Sequence, residues 1–216
     1  MKLILDHCPG GLFFVGDTHF GHRAMVETWR HDPAGGRFSS TDSMDEHMIA
    51  EWNRTVPPSG IVYHLGDFAF ANTKRIAAIL ASLNGEIHLI EGNHDRSFPA
   101  WIRENLFASV QPYLELTVKR DQLDKGRKLV LCHYAFRTWN RAHYNTWNLH
   151  GHSHGNLPPH GGQLDVGVDD HRISKDLRPY SFEEIDTYLA GTTYEPMDHH
   201  EHQGGDGVQK DKEQFG

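Results

Sequence analysis

Short apolar runs alternate along the chain with segments in which apolar residues recur every three or four positions. Each run is four or five residues long, which is typical of strands buried on both faces of a sheet. The runs cover residues 12–15, 61–65, 87–90, 114–118, 128–131, 147–150 and 164–168. This alternation predicts an α/β fold, with one domain over residues 1–191 and a polar, flexible tail over residues 192–216.

The segments between the runs predict amphipathic helices. Met44, Met48 and Trp52 fall on one helical face. Ser43, with Glu46 three residues later, predicts a capping box at the start of this helix. The same spacing occurs in two further segments, at Ile76, Ile79 and Leu80 and at Phe182, Ile185 and Leu189. We expect these helices to pack their apolar faces on the strands.

Polar residues that can bind metals follow five of the apolar runs, and a glycine directly precedes them at four of these sites. Strand carboxyl ends share one edge of an α/β sheet, where ligands bind. The side chains expected to meet there are Asp17, His19, Asp67, Asn93, His133, His152 and His154. Each one alone is explained as a turn-forming aspartate or a hydrogen-bonded structural histidine. Together, without a partner, they would be costly to bury.

The donor types favour a pair of divalent cations that share one carboxylate. Seven groups exceed what one tetrahedral zinc ion uses, and they contain no thiolate. Imidazole with carboxylate and amide oxygen suits manganese, iron or zinc better than calcium or magnesium, and manganese is the favoured cation for assays. Two such ions bring four positive charges, of which Asp17 and Asp67 neutralise two. The remaining charge suits a hydroxide and an anionic phosphoryl group.

Composition narrows the class of protein. A hydrophobic content of 38% over 216 residues is enough for a packed core. The net charge of −8 argues against holding duplex nucleic acid on a basic surface. The two cysteines argue against a disulfide framework. Neither a signal peptide nor a membrane-spanning run is recognisable, so we expect a cytoplasmic protein without a membrane partner.

The order of the motifs resembles a known family. The chain is similar to the calcineurin-like metallophosphoesterases, in their small bacterial or phage form, through GDTH at 16–19, GD at 66–67, GNHD at 92–95, a strand-final His133 and GHSH at 151–154. The resemblance implies a four-layered α/β/β/α sandwich with a dimetal site at the carboxyl-terminal edge of the sheets.

The same resemblance implies roles for individual residues. One cation would be held by Asp17, His19 and His154 and the other by Asn93, His133 and His152, with Asp67 bridging the two. His94 matches the family's histidine that lies beside the scissile phosphate without binding metal. It would stabilise charge and protonate the leaving group. The alternative for His94 is a structural neighbour of Asn93.

We therefore predict a metal-dependent hydrolase of phosphoester bonds, either a phosphodiesterase or a phosphatase, in which a hydroxide activated by the two cations attacks phosphorus. Little chain remains for a cap or a DNA-binding module, which slightly favours a small or nucleotide-like phosphodiester as substrate. One alternative is a nuclease acting on DNA or RNA. Another is a non-catalytic metal-binding scaffold. The sequence leaves the oligomeric state open.

Three further residues are candidates for contacts around the site. His22 lies either in the layer behind the ligands or in a plain surface turn. Asp95 would orient His94 or cap the following helix. Arg137, in a loop with two tryptophans, would bind a phosphate beside rings that stack a base. The alternative is a loop that only packs over the site. Asp169 is expected to be an ordinary turn residue.

Overall fold

The computed structural model describes residues 1–6, 8–30, 38–120 and 125–192, and its core is a pair of five-stranded sheets. The strands are β1 (Lys2–Asp6), β2 (Leu12–Val15), β3 (Ile61–His64), β4 (Glu86–Ile90), β5 (Ser109–Gln111), β6 (Tyr113–Lys119), β7 (Arg127–Cys132), β8 (Trp147–His150), β9 (Gln163–Asp165) and β10 (Tyr180–Ser181). The helices are α1 (Thr41–Thr55), α2 (Thr73–Ser82), α3 (Ala100–Asn105) and α4 (Phe182–Leu189). Beyond residue 192, the predicted tail lies outside the described residues.

The two sheets are mostly parallel. One, here called the β2 sheet, has the order β10-β2-β3-β4-β5, and only β10 runs antiparallel to its neighbour. The other, here called the β7 sheet, has the order β1-β6-β7-β8-β9, and only the β6–β7 pair is antiparallel. The carboxyl ends of β2, β3 and β4 therefore share one edge, as the carboxyl ends of β7, β8 and β9 do in the second sheet.

A backbone bridge joins the two sheets at this edge. The Gly16 amide donates to the Val166 carbonyl at 2.9 Å, and the Val168 amide donates to the Gly16 carbonyl at 3.1 Å. Gly16 follows β2 and residues 166–168 follow β9, so this pair of hydrogen bonds joins one sheet to the other. The segments that follow the strands of both sheets are brought together here.

Two apolar cores hold the layers in place. Met44, Met48 and Trp52 of α1 are buried with Ile76 and Ile79 of α2 on the outer face of the β2 sheet. A second core fills the space between the sheets, where side chains of both meet the apolar face of α4. The structure confirms the α/β class that the alternating pattern predicts, and it shows two stacked sheets with helices packed on them.

The short turn Ala142–Tyr144 contacts the outer face of the β7 sheet, where Ala142 and Trp139 are buried against Val130. The four-layered sandwich stays a prediction.

In the described ranges, no helix has the length and apolar content needed to cross a bilayer.

The start of α1 differs from its prediction. Ser40 is the N-cap, its hydroxyl accepts a hydrogen bond from the Ser43 amide at 3.1 Å, and the Ser43 hydroxyl accepts one from the Ser40 amide at 3.1 Å. The capping box therefore begins three residues earlier than the predicted Ser43 and Glu46 pair. A serine at the third helical position serves here in place of the usual glutamate, which is why the sequence signature pointed to the wrong residue.

Candidate metal centre

The structure brings six of the seven predicted ligands into two triads. One triad is Asp17, His19 and His154, and the other is Asp67, His133 and His152, with the ligating atoms of each triad within 4.8 Å of one another. The seventh, Asn93, places its side-chain oxygen 3.2 Å from Nε2 of His133, beside the second triad. The grouping matches the resemblance, although the role of these residues as ligands stays a prediction.

Asp67 lies between the two triads. Its Oδ2 atom is 3.5 Å from Nε2 of His133 in its own triad and 3.7 Å from Nε2 of His19 in the other. The same oxygen is 3.8 Å from Nε2 of His94. One carboxylate oxygen thus faces imidazoles from both triads and from the predicted catalytic histidine, which is the geometry expected of a bridging ligand.

Strained backbone marks the same residues. Eight described residues other than glycine have a positive φ, and five of them are Asp17, His19, Asp67, His152 and His154, at 47–67°. A side chain at such a φ costs of order 1–3 kcal/mol and persists only where the surrounding structure imposes it. The clustering indicates that the turns after β2, β3 and β8 are shaped to aim these side chains.

Close backbone contacts explain the glycines that precede the polar residues. A Cβ atom on Gly92 would lie 2.2 Å from Oδ1 of Asp67. Gly66 has a φ of +92°, and a Cβ there would lie 2.5 Å from the Gly92 amide nitrogen. The turns after β3 and β4 approach so closely that only glycine fits at both positions.

Asp95 fastens these two turns together. Its carboxylate accepts backbone hydrogen bonds from Asp67 at 2.7 Å, Phe68 at 2.9 Å and Gly92 at 2.8 Å. Burial raises the pKa of Asp95 to about 6 although these bonds act in the opposite direction. The prediction that Asp95 caps the next helix is therefore wrong, whereas its place beside the site agrees with the prediction, since the carboxylate holds the amide of Asp67. Both of its carboxylate oxygens accept hydrogen bonds from backbone amides that tertiary packing brings near.

Buried polar atoms of the first triad lack partners within the described residues. Oδ1 of Asp17 and both ring nitrogens of His19 are buried without a hydrogen bond. Burial and the neighbouring Asp165 raise the pKa of Asp17 well above its ordinary value. Burial and the charge of Arg30 lower the pKa of His19 to about 2, so its imidazole stays neutral, the form that binds metal. A divalent cation would supply the missing partner, and the residues fit one.

Hydrogen bonds outside the triads orient two of the imidazoles. Nδ1 of His133 donates to the Leu65 carbonyl at 2.7 Å, and Nδ1 of His154 is 2.7 Å from a carboxylate oxygen of Asp169. Each bond fixes the ring through Nδ1, an arrangement common around metal-binding histidines. Asp169 was expected to be an ordinary turn residue, and that expectation is wrong.

Arg30 is a residue of the site that sequence reasoning missed. Its side chain is fully buried and forms a bidentate pair with Asp169, at 2.8 and 2.9 Å. It also donates to the Thr18 carbonyl at 2.5 Å and to the Asp17 carbonyl. Burial raises the pKa of Asp169, but the Arg30 guanidinium and the His154 bond outweigh it and hold that pKa below its usual range. No sequence pattern around Arg30 signals this role.

Thr18 and His64 form a hydrogen-bonded layer under the turn that carries Asp17 and His19. The Thr18 hydroxyl donates to the Phe68 carbonyl at 2.7 Å, so it accepts from Nε2 of His64 at 2.8 Å. Nδ1 of His64 accepts from the Gly66 amide at 3.2 Å, which fixes the tautomer. Burial lowers the pKa of His64 to about 3.

The two remaining candidates, His22 and Arg137, differ in their distance from the triads. The His22 ring stacks on Phe70 at 3.9 Å and lies 5.3 Å from the His19 ring, so it adjoins the first triad. Arg137 lies on an exposed part of its loop, where its carbonyl is 3.4 Å from Nε2 of His160. A role in binding phosphate stays a prediction for Arg137.

The tryptophans of that loop are not available to stack a base. Trp139 is buried and donates from its ring to the Thr146 carbonyl at 2.7 Å. Trp147 is buried between the sheets with the Arg127 guanidinium 4.1 Å from its ring. The prediction that these two tryptophans stack a base is therefore wrong, because both rings are buried by packing within the protein. Tyr134, next to His133, is instead exposed, and its ring meets the His152 ring edge-on at 4.8 Å.

The fold and the two triads define an α/β protein with a candidate dinuclear metal centre at the joined edge of two stacked sheets. No protein-family model matches the chain. Over 147 residues the chain is 29% identical to MJ1445, an uncharacterized protein of Methanocaldococcus jannaschii, and the match covers 67% of this chain and 70% of MJ1445.

A solved structure has a similar fold. The crystal structure of AQ665, a protein of unknown function from Aquifex aeolicus, matches 82% of this chain and 98% of its own chain, with a TM-score of 0.57 and 21% sequence identity. At that identity the likeness shows the fold alone.

Proposed function

We propose that the protein is a metal-dependent hydrolase of phosphoester bonds, of the calcineurin-like metallophosphoesterase type, with two divalent cations chosen from manganese, iron and zinc. The observation that carries the proposal is the position of Asp67, whose Oδ2 atom lies 3.5–3.7 Å from imidazole nitrogens of both triads. Buried, unpartnered atoms on Asp17 and His19 support it, because a divalent cation would satisfy them.

Two cations bound there would lower the pKa of a water molecule and neutralise the charge of phosphoryl oxygens. The residues of the chain would supply the orientation. Asp169 and the Leu65 carbonyl fix the rings of His154 and His133. The strained turns carry Asp17 and Asp67, whose carboxylate oxygens lie within 4.8 Å of imidazole nitrogens of their triads. Little rearrangement is then needed when substrate binds.

His94 would hold the proton for the leaving group. Its backbone amide donates to Oδ1 of Asp67 at 3.0 Å, which fixes the start of the side chain beside the centre. Its side chain is 42% exposed, in contrast to 3% for His19 and Asp67, so a bound ester could reach its Nε2 atom. From that nitrogen the proton would pass to the oxygen that departs from phosphorus.

The proposal includes a four-layered sandwich and a small or nucleotide-like phosphodiester or monoester as substrate. Tyr134 would contact the substrate, since its exposed ring borders His133 and His152. A nuclease remains the second candidate by resemblance, and the assay below separates it from the first by substrate size.

The test combines metal analysis with turnover. Protein purified with manganese should bind two cations per chain by inductively coupled plasma mass spectrometry and hydrolyse p-nitrophenyl phosphate or bis-p-nitrophenyl phosphate. Asp67→Ala should lower the affinity for both cations. His94→Ala should retain both but lose roughly 100-fold or more in kcat, the usual size of a general-acid contribution. His171→Ala, which removes an exposed histidine, is the matched control.

Three results would count against the proposal or a part of it. Two cations bound without turnover of either ester or of a DNA or RNA substrate would favour the metal-binding scaffold. Full activity of His94→Ala would remove that residue from the mechanism. Degradation of long nucleic acid without turnover of the small esters would favour the nuclease.

A further inference from the structure

A cleft of about 500 Å³ lies beside the candidate metal centre. Its walls come from the segment after β3, the segment after β4 and the first turn of α2. His94 lines the cleft and is also 3.8 Å from the central oxygen of Asp67, so the cleft and the centre share this side chain. The volume is within the range of sites that enclose small organic ligands, about 300–1,000 Å³.

Apolar and polar side chains both line the cleft. Phe70, Phe98, Ile76 and Pro99 contribute rings and alkyl groups. No aspartate, glutamate, lysine or arginine is among the lining residues, and the hydrogen-bonding side chains are those of Asn72, Thr73, His94 and Ser97. Apart from His94, at the end nearest the centre, the lining residues offer a charged group no ion-pair partner. The chemistry of the walls therefore fits a neutral ring.

The position of Phe70 sets the orientation of a ligand. Its ring is 4.3 Å from the His94 ring and 5.3 Å from the His19 ring, and it also lines the cleft. The Phe70 ring therefore borders both the predicted ligand His19 and the cleft. An ester with its phosphorus at the centre would extend past His94 into the cleft, on the side of the departing oxygen.

We propose that this cleft binds the leaving group of the substrate, and that this group is a neutral, ring-bearing alcohol of nucleoside type. The inference rests on the proposed function, because it uses His94 as the proton donor. In the reaction, a water oxygen forms a new bond to phosphorus and the ester P–O bond breaks. The departing oxygen takes the proton from Nε2 of His94. One water proton returns through solvent to the histidine, so the products are the nucleoside and the phosphate.

Two variants that add the same side chain at different places on α2 test the proposal. Thr73→Trp would fill the cleft, because Thr73 lines it at the first position of the helix and is not the N-cap. Ala78→Trp adds a tryptophan on the exposed face of α2, outside the lining residues. Matched thermal melts would establish that both variants fold.

The kinetic test uses two esters of primary alcohols, adenosine 5′-monophosphate and glycerol 1-phosphate, or their methyl diesters if diesters are preferred. We expect the unmodified protein to favour the adenosine ester in kcat/KM by roughly 10- to 100-fold, the equivalent of stacking one base. Thr73→Trp should raise KM for the adenosine ester and abolish this preference. Ala78→Trp should keep the preference and should not change turnover of the glycerol ester.

A binding test is independent of turnover. Adenosine titrated into the full chain should shift the amide NMR signals of Phe70, Thr73 and Ser97, and Thr73→Trp should abolish the shifts while Ala78→Trp retains them. If Thr73→Trp and Ala78→Trp turn over the adenosine ester with equal KM values, the leaving-group assignment is wrong. The proposal that the protein is a hydrolase would not be affected by that result. Adenosine shifts without turnover of any phosphoester would instead overturn the hydrolase and, with it, the leaving-group role.

Discussion

At the residue scale, the first triad depends on a side chain that binds no metal itself. Arg30 contacts the carbonyls of Asp17 and Thr18 and the carboxylate of Asp169, which in turn holds His154. Two of the three residues of the triad are therefore positioned by one buried guanidinium. The second triad has a separate support, because His133 is held by the Leu65 carbonyl.

Arg30→Lys should weaken the first cation site selectively. Lysine keeps the charge but cannot form the bidentate pair with Asp169 and reach two carbonyls at the same time. We expect the affinity for one of the two cations to fall roughly 10- to 100-fold, as for other residues that orient metal ligands. Isothermal titration calorimetry with Mn²⁺ on the metal-stripped protein would measure it.

The matched control for this prediction is Arg178→Lys. Arg178 also pairs with both oxygens of a carboxylate, that of Glu184, at 2.6 and 3.1 Å, but it belongs to the segment before α4. The positioning role of Arg30 would be contradicted if Arg30→Lys bound both cations with unchanged affinity. It would also be contradicted if Arg178→Lys lost as much affinity as Arg30→Lys.

At the scale of the elements, the centre is made by turns rather than by the strands themselves. Strands 12–15 and 147–150 are confirmed at their predicted bounds, because their residues are buried on both faces. The sequence did not predict β1, β5 and β10. The last two have three and two residues, too few for a periodic signal. The turn conformations and the strain in them were also absent from the prediction.

Gly92→Ala should damage the centre through the turn after β4. The new methyl group would lie 2.2 Å from Oδ1 of Asp67 and force the central carboxylate away from both triads. We expect the number of Mn²⁺ ions bound per chain to fall below two and the activity to be lost. Metal analysis after gel filtration would measure the first effect.

Gly16→Ala is the control for that variant. Gly16 also follows a strand beside a predicted ligand, but a Cβ there would be at least 3.5 Å from its neighbours, an ordinary contact. This variant should keep two cations. Equal metal content in the two variants would show that the close approach at Gly92 is not needed for the centre.

At the scale of the whole molecule, the two sheets are joined at the edge that carries the centre. Beneath this edge lies His64, which is fully buried and donates to Thr18. Burial lowers its pKa to about 3, so the folded protein holds the imidazole neutral. In the unfolded chain a histidine has a pKa of about 6.5 and takes up a proton more readily.

This difference predicts a pH dependence of stability. Below pH 6.5 the unfolded chain binds more protons than the folded one, so the free energy of unfolding should fall as the pH drops from 6.5 toward 3. At pH 5 the contribution of His64 to this loss is about 2 kcal/mol. Glutamine can still donate to Thr18 but does not titrate, so His64→Gln should lose less stability between pH 7 and pH 5.

Urea unfolding of both proteins at the two pH values would measure the difference, with His171→Gln, at an exposed position, as control. The other buried histidines are common to all three proteins and cancel in the comparison. An identical loss in the unmodified protein and in His64→Gln would contradict the assignment.

The sequence by itself determined seven of the ten described strands, the main helices and the polar residues that follow the strands, because the apolar patterns that mark them are local properties of the chain. It therefore also placed seven potential ligands at one edge. Tertiary structure alone decided that Arg30, Asp95 and Asp169 support the centre, since each acts on residues distant in the sequence. It also decided that Trp139 and Trp147 are buried, because the residues that cover these rings come together only when the loop packs on the sheets.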